Sequence, residues 1–336
     1  MKKLSFKLAA CASMLVAACS VNASDYSNVY VFGDSLSDNG NLHALAPEQT
    51  YGERFTNGPV AVEVVAGALG HVLTPSYHLV GGTEGNNFAI AGARAVDEDG
   101  DETTPDINLP TQVNAFLAIN GGIAPSDALY IMLIGGNDIR AAREIRSAAV
   151  FAATPEERQA IRQAANESLN VAVASEQAQL LKLIAAGAQN VLVSNAPDIG
   201  AIPETDLIAA GLLANAQTKS QIRKANRFAE VTSKLSTKYN RKLARKLART
   251  EHQTGLDIIE YDLFSFLTDQ VDNAEDYGYS NTDDACAYML SGGGALHPEC
   301  DGYVTATGFL FYDEIHPTTQ AHQAAGIEIV GELLAQ

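Results

Sequence analysis

The segment VYVFGDSLSDNGN (residues 29–41) joins a run of apolar, β-prone residues to a small polar turn that contains a serine. Residues 29–32 are typical of a buried strand, and Gly33 with Asp34 indicates where that strand stops. Ser35 then has two interpretations: it caps the next helix, or it is a nucleophile held at the carboxyl end of a strand. On this segment alone the cap is favoured.

Four further apolar runs end in glycine, asparagine or aspartate and alternate with helical stretches. The runs are NNFAIAGA (86–93), ALYIMLIGGND (128–138), NVLVSNAPDIG (190–200) and LDIIEYDL (256–263). The helical stretches are residues 60–69, 112–119, 156–186, 216–250 and 320–334. The runs lack polar alternation, as strands buried on both faces do. The pattern therefore predicts an α/β protein, a three-layer α/β/α sandwich around a central, mostly parallel sheet of about five strands. Such sheets place their sites beyond the carboxyl ends of the strands, which favours catalysis by Ser35 over capping.

The composition and the first residues predict a single exported domain. The chain has 336 residues, of which 46% are apolar and 18% charged, and no linker or repeat divides it. Residues 1–23 have a basic start, an apolar run and a small-residue end, which predicts a secretory signal peptide followed by one domain over 24–336. A competing lipobox at 16–19 would leave a lipidated Cys19. We expect a secreted or periplasmic protein, with an outer-membrane lipoprotein as the alternative.

The charge distribution bears on possible partners. The formal net charge is −18, and removing Lys2, Lys3 and Lys7 with the leader changes it to −21. A chain this acidic is not expected to bind nucleic acid. The stretch 216–250 nevertheless holds eleven lysines and arginines and one acid, Glu230. It is either a solvated helix face, the simpler interpretation, or a surface that contacts anionic lipid headgroups. The oligomeric state stays open.

Two cysteines remain once the leader is removed. They are Cys286 and Cys300, and a lone pair of cysteines in an exported protein is expected to form a disulfide. They lie in a polar, glycine-rich segment, 272–300, which precedes the candidate base described below. We expect this segment to form a wall of the functional cleft.

An acidic loop at 97–106 has alternating carboxylates and a glycine, as some calcium loops do. It lacks the EF-hand register, because Asn108 stands where the bidentate glutamate should be. A solvated loop is therefore favoured over a cation site. The sequence predicts no metal and no nucleotide cofactor.

A candidate general base lies in YDEIHPTTQAH (312–322). Pro317 disfavours helical geometry for His316 and so favours a turn there. Asp313, three residues earlier, can then fold back onto the imidazole, fix its tautomer and stabilise its protonated form. His322 lies on the following helix and is expected at the surface.

Two residues that follow buried runs are candidate donors to an oxyanion. Gly92 in AIAGAR offers a backbone N–H, and Asn137 in IGGND offers a side-chain amide. Each has a plain alternative, because Gly92 can serve only to permit a tight turn and Asn137 can serve only to cap a helix that begins near Ile139. Taken singly, these alternatives are favoured.

The order of four residues along the chain changes that balance. In sequence they are Ser35, Gly92, Asn137 and His316, in the blocks GDSLSDNGN, NFAIAGA, GGND and DEIHP. This set resembles the SGNH (GDSL) hydrolase superfamily. The segments FGDSLSDNGN, RFTNGPVAVEVVA and NAPDIGAIP are similar to its branch of lecithinase/haemolysin-type phospholipases, glycerophospholipid–cholesterol acyltransferases and plant GDSL lipases. The resemblance extends from about residue 28 to the C-terminus.

The resemblance implies a flavodoxin-like α/β/α fold and a serine ester hydrolase that forms an acyl-enzyme without a cofactor. It implies Ser35 as nucleophile, His316 as base and Asp313 as the acid that orients the base. The backbone N–H groups of Ser35 and Gly92, with the Asn137 amide, would form the oxyanion hole. Carboxylic esters of lipid type are the expected substrates. The alternatives are an acyltransferase that uses a glycerophospholipid donor, a polysaccharide acetylesterase and, least favoured, a non-catalytic binding protein.

Overall fold

A computed structural model of the protein describes residues 26–97 and 105–335. Its centre is a parallel sheet of four strands in the order β1-β2-β3-β4. These are β1 (Val29–Gly33), β2 (Leu129–Leu133), β3 (Asn190–Ser194) and β4 (Ile258–Tyr261). Every residue of β1 and β2 is buried, as expected for strands covered on both faces. The predicted α/β fold with a central parallel sheet is confirmed.

The fifth predicted run, 86–93, lies beside β1 but pairs with it irregularly. Phe88 N–H donates to Val31 O at 2.8 Å, and Ile90 N–H donates to Gly33 O at 3.2 Å. The Asn41 side chain binds backbone carbonyls of this run that face away from β1, since its Nδ2 donates to Asn87 O and to Ala89 O. Backbone of residues 74–76 pairs with the same edge at Asn87, since Ser76 N–H donates to Asn87 O and Asn87 N–H donates to Thr74 O, each at 2.9 Å.

Helices cover both faces of the sheet. In chain order they are α1 (Asn41–Leu45), α2 (Ala61–Ala68), α3 (Leu109–Ile119), α4 (Gly136–Ser147), α5 (Pro155–Ala186), α6 (Pro203–Ala214), α7 (Lys219–Ala225), α8 (Phe228–Thr254), α9 (Leu263–Asp272), α10 (Ala274–Tyr277) and α11 (Thr319–Leu334). One face of β1 and β2 packs on α3, α4, α5 and α8, and the other packs on α2, α9 and α11. Alternate strand residues enter the two cores, so the molecule has three layers.

The predicted stretch 156–186 corresponds to one helix, whereas 216–250 does not. Thr154 and Glu157 form a reciprocal capping box at the start of α5, and Gly187 follows its last turn. The basic stretch is instead divided between α7 and α8, which meet at Arg227. No helix in the described part of the chain is long and apolar enough to cross a bilayer.

Four short strands outside the main sheet surround the disulfide. They are β5 (Asn281–Ala285), β6 (Ala287–Tyr288), β7 (Ala295–Leu296) and β8 (Phe309–Phe311). β5 pairs with β8 and β6 with β7. The predicted bond between Cys286 and Cys300 is present. The predicted signal peptide (1–23), with Cys19, lies outside the described residues, as does most of the acidic loop 97–106.

Candidate active site

The turn that carries Ser35 follows directly from β1. Gly33 ends the strand so close to β2 that a Cβ there would lie 2.2 Å from Leu133 O, and only glycine fits. After it, Asp34 closes a turn, because its carbonyl accepts the N–H groups of Ser37 and Asp38 at 3.0 Å. Ser35 thus lies just beyond the carboxyl edge of the sheet, and it is 8% exposed.

The structure brings Ser35, His316 and Asp313 together. His316 Nε2 lies 2.7 Å from Ser35 Oγ. On the other side of the ring, His316 Nδ1 lies 2.7 and 2.9 Å from the two Asp313 carboxylate oxygens. An ionised carboxylate only accepts, so Nδ1 carries the proton and Nε2 is free to accept the serine proton. This is the donor–acceptor order of a Ser–His–Asp triad.

Asp313 is held ionised by its neighbours. Burial by itself raises the pKa of Asp313, but the His316 charge and hydrogen bonds from His316, Tyr51 and the Ile315 N–H outweigh it and leave the pKa below its usual value. The Ile315 N–H donates to Oδ1 at 2.8 Å, and the Tyr51 hydroxyl donates to Oδ2. Sequence analysis missed Tyr51, which lies 262 positions away in an irregular segment.

Asn137 lies at the start of α4 with its amide oriented by protein contacts. Its Nδ2 donates to Ala93 O at 2.9 Å, and its Oδ1 accepts from Arg140 Nη1 at 2.8 Å. The guanidinium of Arg140 is in turn held by Glu204, through Nε at 2.8 Å and Nη2 at 2.6 Å. The second N–H of the Asn137 amide thus stays available to a further acceptor. Arg140 and Glu204 were also missed by sequence analysis.

The backbone donors proposed from the sequence are Ser35 N–H and Gly92 N–H. Neither is hydrogen-bonded to an acceptor within residues 26–97 and 105–335. Gly92 has φ 86°, a conformation that favours glycine, and it follows the segment bonded to β1. It is exposed and does not line the cleft beside Ser35. Asp38 organises this region, because its carboxylate accepts the N–H groups of Gly40, Asn41, Leu42 and Ala91.

A cleft of about 800 Å³, including its solvent-open part, lies against Ser35, Asn137 and His316. Most of its lining is apolar. The apolar residues are Leu36, Ala61, Leu133, Pro197, Ile199, Ile202, Leu263, Phe266, Leu267, Phe311, Ile315, Pro317, Ala321, Ala325 and Ile329. Ser35 therefore borders a surface that suits the hydrocarbon chain of a ligand.

His322 belongs to this cleft, and the expectation that it lies at the surface was wrong. It is 4% exposed and lines the cleft, and its Nδ1 accepts the Ala61 N–H at 3.2 Å. Burial, followed by the nearby His316, lowers the pKa of His322 to about 3. His322 on α11 therefore faces α2 and not solvent.

Three buried carboxyl groups lie beneath the site. Burial raises the pKa of Asp34 to about 6, that of Asp138 to about 7 and that of Glu176 to about 8. Glu176 accepts a 2.5 Å hydrogen bond from the Tyr239 hydroxyl, and Asp138 accepts the Ala95 N–H at 2.9 Å. Their protonation couples the stability of this region to pH.

The segment 272–300 lies behind the Asp313–His316 turn and supplies no residue to the cleft lining. The N–H groups of Leu290 and Ser291 donate to the Glu314 carboxylate at 3.1 and 2.7 Å. Its role in the structure is therefore support of the turn. Among the described residues, no group of three or more His, Cys, Asp or Glu side chains is arranged to hold a metal ion.

A parallel α/β/α sandwich with Ser, His and Asp side chains arranged beyond the strand ends is a geometry shared with α/β hydrolases. The particular family follows from the sequence of the whole domain. The GDSL-like Lipase/Acylhydrolase family matches residues 29–329, so the chain belongs to that family. The sequence-based assignment to a family of ester-bond hydrolases is confirmed.

Comparison with individual proteins gives distant relatives. Lipase 1 of Photorhabdus luminescens is 28% identical over 90% of this chain, which spans about half (49%) of that protein's length. The GDSL esterase/lipase At4g16230 of Arabidopsis thaliana is 26% identical over 91% of this chain and 86% of its own. Among solved structures, an extracellular lipase from Streptomyces rimosus covers 92% of this chain and 98% of its own, with 16% identity and a TM-score of 0.41.

Proposed function

We propose that this protein hydrolyses carboxylic esters with apolar acyl chains through an acyl-enzyme formed on Ser35. The observation that carries the proposal is the position of Ser35 Oγ, which lies 2.7 Å from His316 Nε2 and borders an apolar cleft. Family membership supports ester chemistry, and the lining of the cleft supports a lipid-type acyl group.

The first half of the reaction uses the triad and the oxyanion donors. As Ser35 Oγ attacks the ester carbonyl, its proton moves to His316 Nε2, and Asp313 stabilises the imidazolium without taking a proton. The negative oxygen of the tetrahedral intermediate receives hydrogen bonds from the Ser35 N–H and from Asn137 Nδ2, which border the cleft. The third proposed donor is the N–H of Gly92, which lies outside the cleft lining but precedes Ala93, the residue whose carbonyl holds the Asn137 amide. The intermediate then collapses, the C–O bond to the alcohol breaks, and His316 returns its proton to the departing alcohol.

The second half repeats the same steps with water. His316 Nε2 takes a proton from water as its oxygen attacks the acyl-Ser35 carbonyl, and the second intermediate expels Ser35 Oγ, which regains a proton from His316. The products are a carboxylic acid and free enzyme. An alcohol in place of this water would give acyl transfer, with the same residues in the same roles.

Two features of the chain support a proposal for the location of the protein. We propose that residues 1–23 are a secretory leader, that the hydrolase domain occupies 24–336 and that the protein is exported. The disulfide between Cys286 and Cys300 supports an oxidising compartment.

The test is hydrolysis of p-nitrophenyl acetate, butyrate, octanoate and palmitate by the wild type and Ser35→Ala. The proposal predicts higher kcat/KM for octanoate than for acetate, and loss of turnover in the variant. A preference for acetate alone would favour the polysaccharide acetylesterase. Acyl transfer to added glycerol or sterol at the expense of hydrolysis would favour the acyltransferase. If neither the wild type nor Ser35→Ala hydrolyses any of the esters or phospholipids, the proposal is contradicted and a binding protein is favoured.

A further inference from the structure

A second cleft, far from Ser35 along the chain, is lined by basic side chains. It lies where the end of α4, the start of α5, the end of α7 and the start of α8 meet, and its volume is about 1100 Å³ including its solvent-open part. Its basic residues are Arg146, Arg158, Arg162, Arg223, Lys224 and Arg227. None of the acidic side chains in the described part of the chain lines it, although the protein carries a formal charge of −18. We refer to it as the basic cleft.

Within the described residues, one of these six cations has a carboxylate partner. Arg227 pairs with Glu230 at 2.9 Å, and the other five have no carboxylate within 4.0 Å. Lys224 Nζ donates instead to the backbone carbonyls of Ala149 and Val150, each at 3.2 Å. Arg158 Nη1 donates to a third carbonyl, that of Ala152, at 3.3 Å. The fold therefore gathers positive charge here without neutralising it.

Arg146 shows that the cluster lacks an acceptor. Its Nη1 is buried and has no hydrogen-bond partner in the described chain. A buried guanidinium N–H without an acceptor is destabilising, since it has lost water and gained nothing in return. Burial and the charge of Arg162 lower the pKa of Arg146, and burial with Arg158 and Arg162 lowers that of Lys224. A bound anion would accept the unpaired N–H of Arg146 and would offset the unfavourable burial of these cations beside one another.

We propose that the basic cleft is a binding site for a phosphate group. Phosphate offers several acceptor oxygens and one to two negative charges, and arginine forks match it with paired hydrogen bonds. Two sources share this chemistry, the headgroup of an anionic phospholipid and free phosphate. The surroundings of the cleft favour the first.

The basic cleft lies toward the carboxyl edge of the sheet, which is the edge that also carries Ser35. Asn240 of α8 exchanges hydrogen bonds of 2.8 and 2.9 Å with the backbone of Ala196, just beyond the carboxyl end of β3. α8 begins twelve residues before Asn240, at Phe228, and a rise of 1.5 Å per residue places that start about 18 Å along the helix axis. Because α8 runs on from Asn240 to the amino end of β4, its start projects beyond the carboxyl edge of the sheet.

Two exposed apolar side chains accompany the basic cleft. Phe151 follows Val150 of the lining, Ile222 precedes Arg223, and each is 40% exposed. Cations beside exposed apolar side chains are typical of a surface that contacts a lipid interface. Of the eleven basic residues in 216–250, only those at 223, 224 and 227 belong to the basic cleft, so the site is more specific than a charged helix face.

The test compares two double variants of the full chain, each of which removes two arginines one helical turn apart. Arg158→Gln/Arg162→Gln lies in the basic cleft, and the matched control Arg245→Gln/Arg249→Gln lies on exposed positions of α8 outside it. One measurement is the thermal midpoint in inorganic phosphate against sodium chloride at equal ionic strength. The other is co-sedimentation with phosphatidylglycerol/phosphatidylcholine vesicles and with phosphatidylcholine alone.

The proposal predicts that phosphate raises the Tm of the wild type and the control more than that of the cleft variant. It also predicts that binding to phosphatidylglycerol vesicles is about tenfold weaker in the cleft variant than in the control. Selective loss of vesicle binding alone would assign the site to a lipid headgroup, and selective loss of the phosphate effect alone would assign it to free phosphate.

Equal weakening in the two double variants, with no effect of phosphate beyond that of chloride, would overturn the proposal, because long-range charge would then explain the binding. Arg223→Gln, at an exposed position of the same cleft, replaces the double variant if that protein fails to fold. Neither measurement needs ester turnover, so its outcome is independent of the function proposed for Ser35.

Discussion

Arg140 Nη1 donates a 2.8 Å hydrogen bond to Asn137 Oδ1, one helical turn away on α4. The amide of Asn137 can rotate so that either its oxygen or its nitrogen faces the serine, and only the nitrogen can stabilise a negative oxygen. By occupying Oδ1, Arg140 leaves the nitrogen as the side that can donate, which is the orientation the proposed mechanism requires. Glu204 holds Arg140 in turn, so the donor is fixed by two layers of contacts.

The first prediction concerns this orientation. Removing an oxyanion donor typically lowers the rate 100- to 1000-fold, and we expect about that loss of kcat for Asn137→Ala. Arg140→Gln leaves the donor in place but unoriented, so we expect a smaller loss, about tenfold in kcat with little change in KM. Arg140→Lys keeps the charge without the fork and should recover part of the loss. Unchanged kcat in Arg140→Gln would show that Asn137 needs no such support.

The second prediction concerns the hydrogen bond from Tyr51 to Asp313. Tyr51→Phe removes a donor that helps to lower the pKa of Asp313, so this pKa rises and the carboxylate is protonated at higher pH. The acidic limb of the kcat/KM profile should move to higher pH, and kcat should fall about tenfold, the usual value of a hydrogen bond to a charged group. The control Tyr312→Phe removes a hydroxyl from the neighbouring ring, 5.9 Å away, that does not bond to Asp313. Superimposable profiles for Tyr51→Phe and the control would rule out this role.

The third prediction concerns the acyl-binding cleft. Ala325 of α11 lines it, and Ala325→Leu would fill part of the space beside the triad. A difference of a methylene or more in an apolar pocket changes discrimination by about tenfold or more, so the octanoate-to-acetate ratio of kcat/KM should fall by about that factor. Gln323→Leu introduces the same residue at an exposed position of the same helix, outside the cleft, and is the control for the added leucine. An unchanged ratio in Ala325→Leu would place the acyl chain elsewhere.

The fourth prediction concerns pH and stability. Burial raises the pKa of Glu176 from 4.5 to about 8, so the folded protein holds a proton there that the unfolded chain releases. Stability therefore falls as pH rises from about 5 to about 8, by up to a few kcal/mol from this group. Glu176→Gln should flatten that dependence in chemical denaturation, whereas the exposed control Glu167→Gln should keep it. Parallel curves for the wild type and Glu176→Gln would show that Glu176 does not titrate in this range.

Much of the fold could be predicted because its signals are local. Buried runs followed by polar turns indicated β1 to β4, and the helical stretch 156–186 indicated α5. The run 86–93 was harder, because it makes only an isolated bridge to β1 and is bonded on its other edge by the Asn41 side chain and by residues 74–76. The break of 216–250 at Arg227 also depends on packing that no local pattern records.

The candidate site was predictable only where its residues fall in ordered blocks. The chain order of Ser35, Asn137 and His316 indicated that they meet, and the structure does bring Ser35 and His316 together; their chemical roles remain predictions. Tyr51 contacts Asp313 from 262 positions away, and Arg140, although one turn from Asn137, is held by Glu204, 64 positions away. No spacing rule in the sequence connects these partners. The basic cleft was missed for the same reason, because four helices contribute to it.

The most direct test of the account is covalent labelling of the serine by a fluorophosphonate, which reacts with serines activated by a neighbouring base. Ser37 provides a matched control, because it lies in the same GDSLSD turn and is buried, yet its Oγ has no hydrogen-bond partner in the described chain. We predict one label per molecule in the wild type and in Ser37→Ala, mapped to the peptide that contains Ser35, and none in Ser35→Ala. Undiminished labelling of Ser35→Ala, or no labelling of the wild type, would contradict the assignment of Ser35 as the nucleophile.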